Sequence, residues 1–382
     1  MRRPEAGQGT LWRLLSGVAL GIGLALGAWL LALAGQLGHP HPDHQWVLEA
    51  RAHKQARAEA LPPPRLLVAG GSSAMFGIDS PQLGESFRRP AVNLGVNAGL
   101  GLPVILNQTL AIAEAGDLVI LALEYPLLGY RGEINHVMND FYLGQPEELL
   151  QAWRLSHAAL PLHRWLPLVA GEALQIVMQT SLSRVVQGYR GLPDGFTVKG
   201  TYGAHRLDAH GDQTATSRRH REAWMAQQAT AEAPRQYGAD HADNAPGWAL
   251  LRHFQERLQD RGACLVLVPP AFLFHPHYRE DPVERRFYST LPEQAARHGL
   301  TYRGRPYDFM YPAEDMFDTD FHLVDEARRR NTRRLIEALA APGNPSEPVI
   351  ECPRATVESG VTRQPLADQI AGLESNQQPA QR

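Results

Sequence analysis

The 382-residue chain has little cysteine: only Cys264, inside an apolar run, and Cys352, in a polar tail. Two cysteines build no disulfide framework, and these two lack the paired spacing of a structural zinc site. A Cys264–Cys352 bridge is allowed by the count but not favoured. A long basic stripe is also missing, because 37 basic and 40 acidic residues are interspersed for a net charge of −3. Nothing in that distribution neutralises a phosphate backbone, so nucleic acid is not expected as a partner. The nucleotide fingerprints are absent too. The segment "RLLVAGGSSAMFGIDS" (65–80) puts glycines after an apolar run, but it has neither the three spaced glycines of a dinucleotide turn nor the Gly-Lys-Ser/Thr of a P-loop. Sixteen histidines invite a metal reading; the densest group, "HPHPDH" (39–44), is broken by prolines and reads as linker. No metal and no cofactor are expected.

With 44% hydrophobic and 20% charged residues the chain is ordinary globular material with one conspicuous exception. Leu14 to Gly35 is a 22-residue run without a charge, about 33 Å as a helix against a hydrocarbon core of roughly 30 Å. Arg2, Arg3 and Arg13 precede it, which predicts a cytoplasmic tail (1–13), a transmembrane signal-anchor (14–37) and export of all that follows to the periplasm or its equivalent. "ALA" (32–34) resembles a signal cleavage site, but the length favours an uncleaved anchor. Residues 38–64 read as a helical stalk ending in "PPP" (62–64).

A folded domain is expected over 65–340. "RLLVAG", "AVNLG" (91–95), "DLVILALEY" (117–125) and "ACLVLVPP" (263–270) are short apolar runs separated by helical patterns, and "GLTYRG" (299–304) supplies a fifth strand. That alternation predicts an α/β fold, a three-layer α/β/α sandwich around about five parallel strands. A cap, about 128–246, breaks the rhythm after the third strand. The tail, 341–382, has no apolar period and is expected not to fold.

A serine turn after a first strand can expose a nucleophile if a base reaches it. "MFDTDFHLVDEARRR" (316–330) offers His322 with Asp318 and Asp320 close by. An imidazole takes the hydroxyl proton, and a carboxylate holds the imidazole in the right tautomer. Loops after parallel strands converge at the carboxyl edge of the sheet, so Ser73 and His322 can meet.

At these residues the chain resembles the SGNH (GDSL-like) hydrolase superfamily. "VAGGSSAMFGIDS" looks like its first block with Ser73 as nucleophile and Ser72 at a position where many members carry Asp. "AVNLGVNAGLGL" (91–102) looks like the second block, and "FDTDFHL" like the closing one. The Gly-Ser-Ser turn, the membrane segment and the Asp-Thr pair are similar to a membrane-anchored subgroup that acylates envelope polymers, such as the alginate O-acetylation and teichoic-acid D-alanyl-transfer proteins. The cap is unmatched except for a Gly-Asp turn, Gly211–Asp212. The resemblance implies a catalytic set of Ser73, His322 and Asp318, with Asp320 as alternative. Oxyanion or substrate contacts would come from Asn97, Ala98 and Gly99, and from Glu124 and Tyr125, which stand where the superfamily's third block places an Asn. It implies an O-acyltransferase or acyl-esterase acting on an extracytoplasmic polysaccharide, with a multi-spanning membrane acyltransferase as the partner of a transferase. The missing Asn block motivates the alternative of a non-catalytic scaffold or polymer-binding component.

Overall fold

The computed structural model describes residues 6–231, 233–341 and 344–348. Helix α1 (Ala6–Gly35) contains the apolar run, and its segment Gly9–Gly35 is long and apolar enough to cross a membrane. Helix α2 (Gln45–Glu59) follows, then β1 (Leu66–Gly70), α3 (Ser72–Gly77), α4 (Ser80–Phe87), β2 (Ala91–Asn93), α5 (Leu102–Ile112) and β3 (Leu118–Ala122). Between β3 and β4 (Cys264–Val268) lies the insertion: α6 (Tyr125–Leu128), α7 (His136–Gly144), α8 (Pro146–Ala159), α9 (Leu162–Gln179), α10 (Leu182–Arg190), α11 (Ala223–Ala231), α12 (Tyr237–Asp240) and α13 (Pro246–Gln259). The chain continues through β5 (Phe272–Leu273), α14 (His277–Glu280), α15 (Pro282–Arg297), β6 (Met310–Tyr311) and α16 (Asp325–Leu339).

The main sheet is parallel, in the order β2-β1-β3-β4. Its strands are buried on both faces, which is why they read as unbroken apolar runs and not as alternations. Alternate residues feed two cores. Leu66, Val68, Ile120 and Val266 pack with Leu83 and Phe87 of α4 and Leu335 and Leu339 of α16. Leu67, Ala69, Val119 and Leu265 pack on the other side with α5 and α13. The sheet has four strands where five are expected. At the fifth position Tyr302 forms only an isolated parallel bridge to Leu267, because Gly299 and Gly304, both at positive φ, turn the chain away on either side of it.

Three further expectations meet a different structure. The segment 38–64 does not stand free as a stalk, since α2 buries Val47, Ala50, Lys54 and Ala58 against the domain. In the tail, β8 (Asn344–Pro348) pairs antiparallel with β7 (Ala340–Ala341), while the rest of the expected disorder lies outside the described residues. Cys264 is disulfide-bonded, against the expectation; Cys352, the only other cysteine, lies outside the described residues.

Arg65 joins α2 to the sheet. Its buried guanidinium donates to Asp117 Oδ2 at 2.6 Å, to the carbonyl of Ala58 at 2.6 Å and to that of Ile112 at 3.0 Å. Asp117, fully buried, also accepts the Arg65 amide at 2.7 Å and the Glu114 amide at 2.9 Å. Removing one member strands a charge in the core. Asp117→Ala is expected to lower the unfolding free energy by about 3–5 kcal/mol, read from denaturant midpoints; a loss under about 1 kcal/mol would mean that the pair behaves as a surface bridge.

Candidate active site

Strand order reverses between β1 and β3: from β1 the chain moves to β2 on one side and then to β3 on the other. At such a switch point the loops leaving the carboxyl ends diverge and open a crevice. The turn after β1 and the residues after β3 flank it. Gly70 sits at φ +149°, where an added Cβ would lie 2.2 Å from the Ala122 carbonyl oxygen, and at Gly71 it would lie 2.5 Å from both the Ala98 amide and Glu124 Oε1. The paired glycines therefore let the β1 turn close on both neighbours.

Glu124 is 3% exposed, and its carboxylate is held by that turn: Oε1 accepts the Ser73 amide at 2.7 Å and Oε2 the Gly71 amide at 3.1 Å. Burial pushes its pKa up, against the pull of the two amides. The consequence for the serines is geometric. Residues one apart on a helix point about 100° apart, and with its amide turned to Glu124, Ser73 sends its hydroxyl inward, 1% exposed and without a hydrogen-bond partner. Ser72, half-buried, lines the crevice instead.

His322 and Asp318 come from the loop before α16. Asp318 Oδ1 and His322 Nδ1 are 2.6 Å apart, and the Tyr202 hydroxyl donates to Asp318 Oδ2 at 2.6 Å. Phe76 lies flat on the imidazole, ring centroids 3.9 Å apart and planes 5° off parallel. The ring is thereby fixed with Nδ1 on the carboxylate and Nε2 available to the crevice. Burial works against the Asp318 carboxylate, but the hydrogen bond and charge of His322 and the Tyr202 hydroxyl pull its pKa below the ordinary 3.8. Burial and Asp318 push that of Tyr202 up, so it stays a donor. Asp320, the alternative, turns away to pair with Arg235 at 3.1 Å; it does not cap α16, whose first turn begins at Asp325 without a side-chain cap.

A cavity of about 560 Å³ gathers Ser72, Asn97, Ala98, Glu124 and His322, with Trp46, Tyr202, Tyr237 and the Arg235–Asp320 pair on its walls. Among the described residues neither serine hydroxyl is hydrogen-bonded to His322. Asn97 Oδ1 accepts the Gly99 amide at 2.7 Å, which orients the side chain; Gly99 itself is not on the wall. Tyr125 is not there either. It is 1% exposed in an aromatic cluster, edge-on to Tyr288 at 5.1 Å and Phe272 at 5.4 Å.

Behind the site, Asp212 of the Gly211–Asp212 turn accepts from the Ser80 amide at 2.6 Å, the Ser80 hydroxyl at 2.8 Å and Asn93 Nδ2 at 2.8 Å. Buried Lys54 of α2 donates to the carbonyls of Gly95 and Gly211. Sequence reasoning missed Lys54, Phe76, Tyr202 and Trp46. No spacing rule marks them, since they come from three separate parts of the chain: Trp46 and Lys54 from α2, Phe76 from α3 and Tyr202 from the insertion. Away from the cavity, His41, His44 and Asp140 bring three metal-ligand atoms within 4.8 Å of one another, the one such group among the described residues, but Asp140 is already paired with Arg184 at 2.7 Å. "HPHPDH" is thus not open linker: Pro42–His44 forms a 3-10 turn with His44 buried.

No family model, curated protein or solved structure matches the chain.

Tyr202→Phe removes a charge-assisted donor and is expected to cost about 1.5–3 kcal/mol of stability. The sign with pH follows from Asp318: its pKa is depressed on folding, so its contribution is full above 3.8 and is lost as pH falls through the folded value. The gap between the two proteins in urea melts should therefore be constant near neutrality and close in acid. A gap that persists unchanged at pH 2 would place the Tyr202 effect in packing alone.

Proposed function

We propose that this protein moves or removes an O-acyl group, most simply acetyl, on a carbohydrate outside the cytoplasm, through an acyl-serine on Ser72. The observation that carries the reading is the buried Asp318–His322 pair, whose imidazole shares one cavity with the serine turn at the sheet's switch point. The likeness to SGNH enzymes in the blocks around 65–101 and 316–323 supports it. The nucleophile is assigned to Ser72, one residue before the position expected from that likeness, because Ser72 lines the cavity and is half-buried, whereas the Ser73 hydroxyl is buried without a partner.

In this reading Ser72 Oγ attacks the acyl carbonyl and its proton passes to His322 Nε2. The tetrahedral adduct collapses by breaking the ester C–O bond as His322 returns that proton to the departing alcohol. Water or an acceptor hydroxyl, deprotonated by His322 in turn, then takes the acyl group and frees Ser72. Asp318 keeps the tautomer with the proton on Nδ1 and balances the imidazolium. The oxyanion needs donors. Asn97 Nδ2 is oriented toward this role by the bond that Asn97 Oδ1 accepts from Gly99. The Gly71 and Ser73 amides are held by Glu124 in this structure, so they serve only when Glu124 yields them. That arrangement is also what favours the second reading, a polymer-binding component without turnover. Trp46, Tyr202 and Tyr237 offer flat apolar faces and the Arg235–Asp320 pair polar ones, a wall suited to a sugar ring.

Export is part of the proposal. The arginines before the span favour a cytoplasmic N-terminus, and a disulfide at Cys264 suits an oxidising compartment. There an esterase needs only water. A transferase has no free acetyl-CoA and takes its acyl group from a multi-spanning membrane partner.

Turnover of an aryl acetate or an acetylated oligosaccharide by the full chain tests the reading. Asp318→Asn is expected to lower kcat by on the order of 10⁴-fold, and Asn97→Ala by about 10²–10³-fold, with circular dichroism unchanged. Asp320→Asn should mainly raise KM. If Asp320→Asn is the more damaging in kcat, or if no variant differs from the wild type, the catalytic assignment fails.

A further inference from the structure

The insertion carries an apolar face that none of the described residues covers. Helix α9, "LHRWLPLVAGEALQIVMQ", has one carboxylate, Glu172, and that one is buried, bonded to the Tyr130 hydroxyl and to Trp153 Nε1. The helix turns Leu168, Glu172 and Ile176 inward. Its opposite face, where a surface helix carries charges, presents Leu166, Ala170, Leu174 and Met178, and Met178 is 74% exposed. Helix α10 extends the stripe with Leu182, Val186 and Tyr189, all exposed, while Arg184, Val185 and Gly188 face inward. His163 and Arg164 confine the ionisable groups of this exposed side to the first turn of α9, and a continuous exposed apolar face marks a docking surface.

Continuity with α1 says what covers it. Trp29 Nε1 donates to the Val177 carbonyl at 3.1 Å, and the Tyr189 hydroxyl donates to the Ala32 carbonyl at 3.1 Å. Trp29 and Ala32 belong to the last turns of the span that ends at Gly35. Trp29 lies six and Ala32 three residues before that end, roughly 9 and 4.5 Å along the axis. The ends of α9 and α10 therefore meet the span at a depth where an amphipathic helix lying in a bilayer surface buries its apolar face, about 5–10 Å. Trp29 and Tyr189 also have the amphipathic character of residues enriched at that interface.

We infer that α9 and α10 lie on the lipid surface into which α1 inserts, with Leu166, Leu174, Met178, Leu182 and Val186 in contact with lipid. The protein is then held at two places, the span and this face. The cavity keeps one orientation to the membrane and does not swing on a tether. The inference does not depend on the acyl-transfer reading.

The test uses the full chain in nanodiscs of phosphatidylethanolamine and phosphatidylglycerol. Single cysteines at 174, 178 and 186 carry an environment-sensitive nitrobenzoxadiazole label, and Arg329→Cys serves as control on α16, which covers the other face of the sheet. Labels at 174, 178 and 186 should emit to the blue of the control and be quenched several-fold more strongly by lipids bearing a nitroxide high on the acyl chain. Water-like emission with quenching equal to that at 329 overturns the inference. So does blue-shifted emission without lipid quenching, which would put protein, a second copy or a partner, on this face. The unmodified chain gives an independent reading that no misfolded variant can confuse: a lipid-confined carbene probe should insert at Leu166, Leu174 and Met178 and spare α16, and insertion confined to α1 contradicts the proposal.

Discussion

The contact on which the site depends is a buried carboxylate accepting two backbone amides. Glu124 leaves β3 at the switch point and takes the N–H groups of Gly71 and Ser73, so the β1 turn is fixed against its neighbour strand and not against solvent. Two features of the turn accompany this contact. Ser73 is turned inward and Ser72 outward, and the amides that an oxyanion would seek already have an acceptor. A carboxylate in that position is held by geometry that only the glycines allow, since any Cβ at Gly71 would collide with it.

The rest of the site is held from behind by polar groups with no access to water. Asp212 gathers Ser80 and Asn93, and so ties the insertion to α4 and β2. Lys54 bonds the carbonyl of Gly95, just before the Asn97–Gly99 turn, and thereby couples α2, the helix that follows the long apolar α1, to the cavity wall. Burial lowers the Lys54 pKa, with the Asp212 and Asp208 carboxylates opposing. Such groups cost desolvation and return specificity of arrangement. Here they set one position for α2, whose Trp46 lies on the same wall.

What was legible in the sequence was what period and strand-end chemistry encode. The apolar runs at 66–70, 118–122 and 264–268 became parallel strands because burial on both faces leaves them no polar positions. Asp318 was separable from Asp320 only through the Asp-Thr likeness; in extended chain both point to one side, and the structure parts them by giving Asp320 an Arg235 to pair with. Which serine faces the crevice was not legible, because adjacent residues of α3 point about 100° apart and only the packed turn shows which of them is buried. The weak fifth strand was overestimated for a local reason, the two positive-φ glycines around Tyr302. The packed state of α2 depends on a buried lysine that composition reads as solvated.

The assignment of the nucleophile is the central claim, and a mechanism-based label reads it directly. A fluorophosphonate phosphonylates a serine whose hydroxyl a neighbouring base deprotonates, with fluoride as the leaving group. With the full-length protein in membranes, peptide mass spectrometry should locate the adduct on Ser72, and the adduct should disappear in Ser72→Ala and in His322→Ala while persisting in Ser73→Ala. An adduct on Ser73 would move the nucleophile back into the turn and require Glu124 to release it. No adduct at all on the folded wild-type protein would contradict the acyl-serine account.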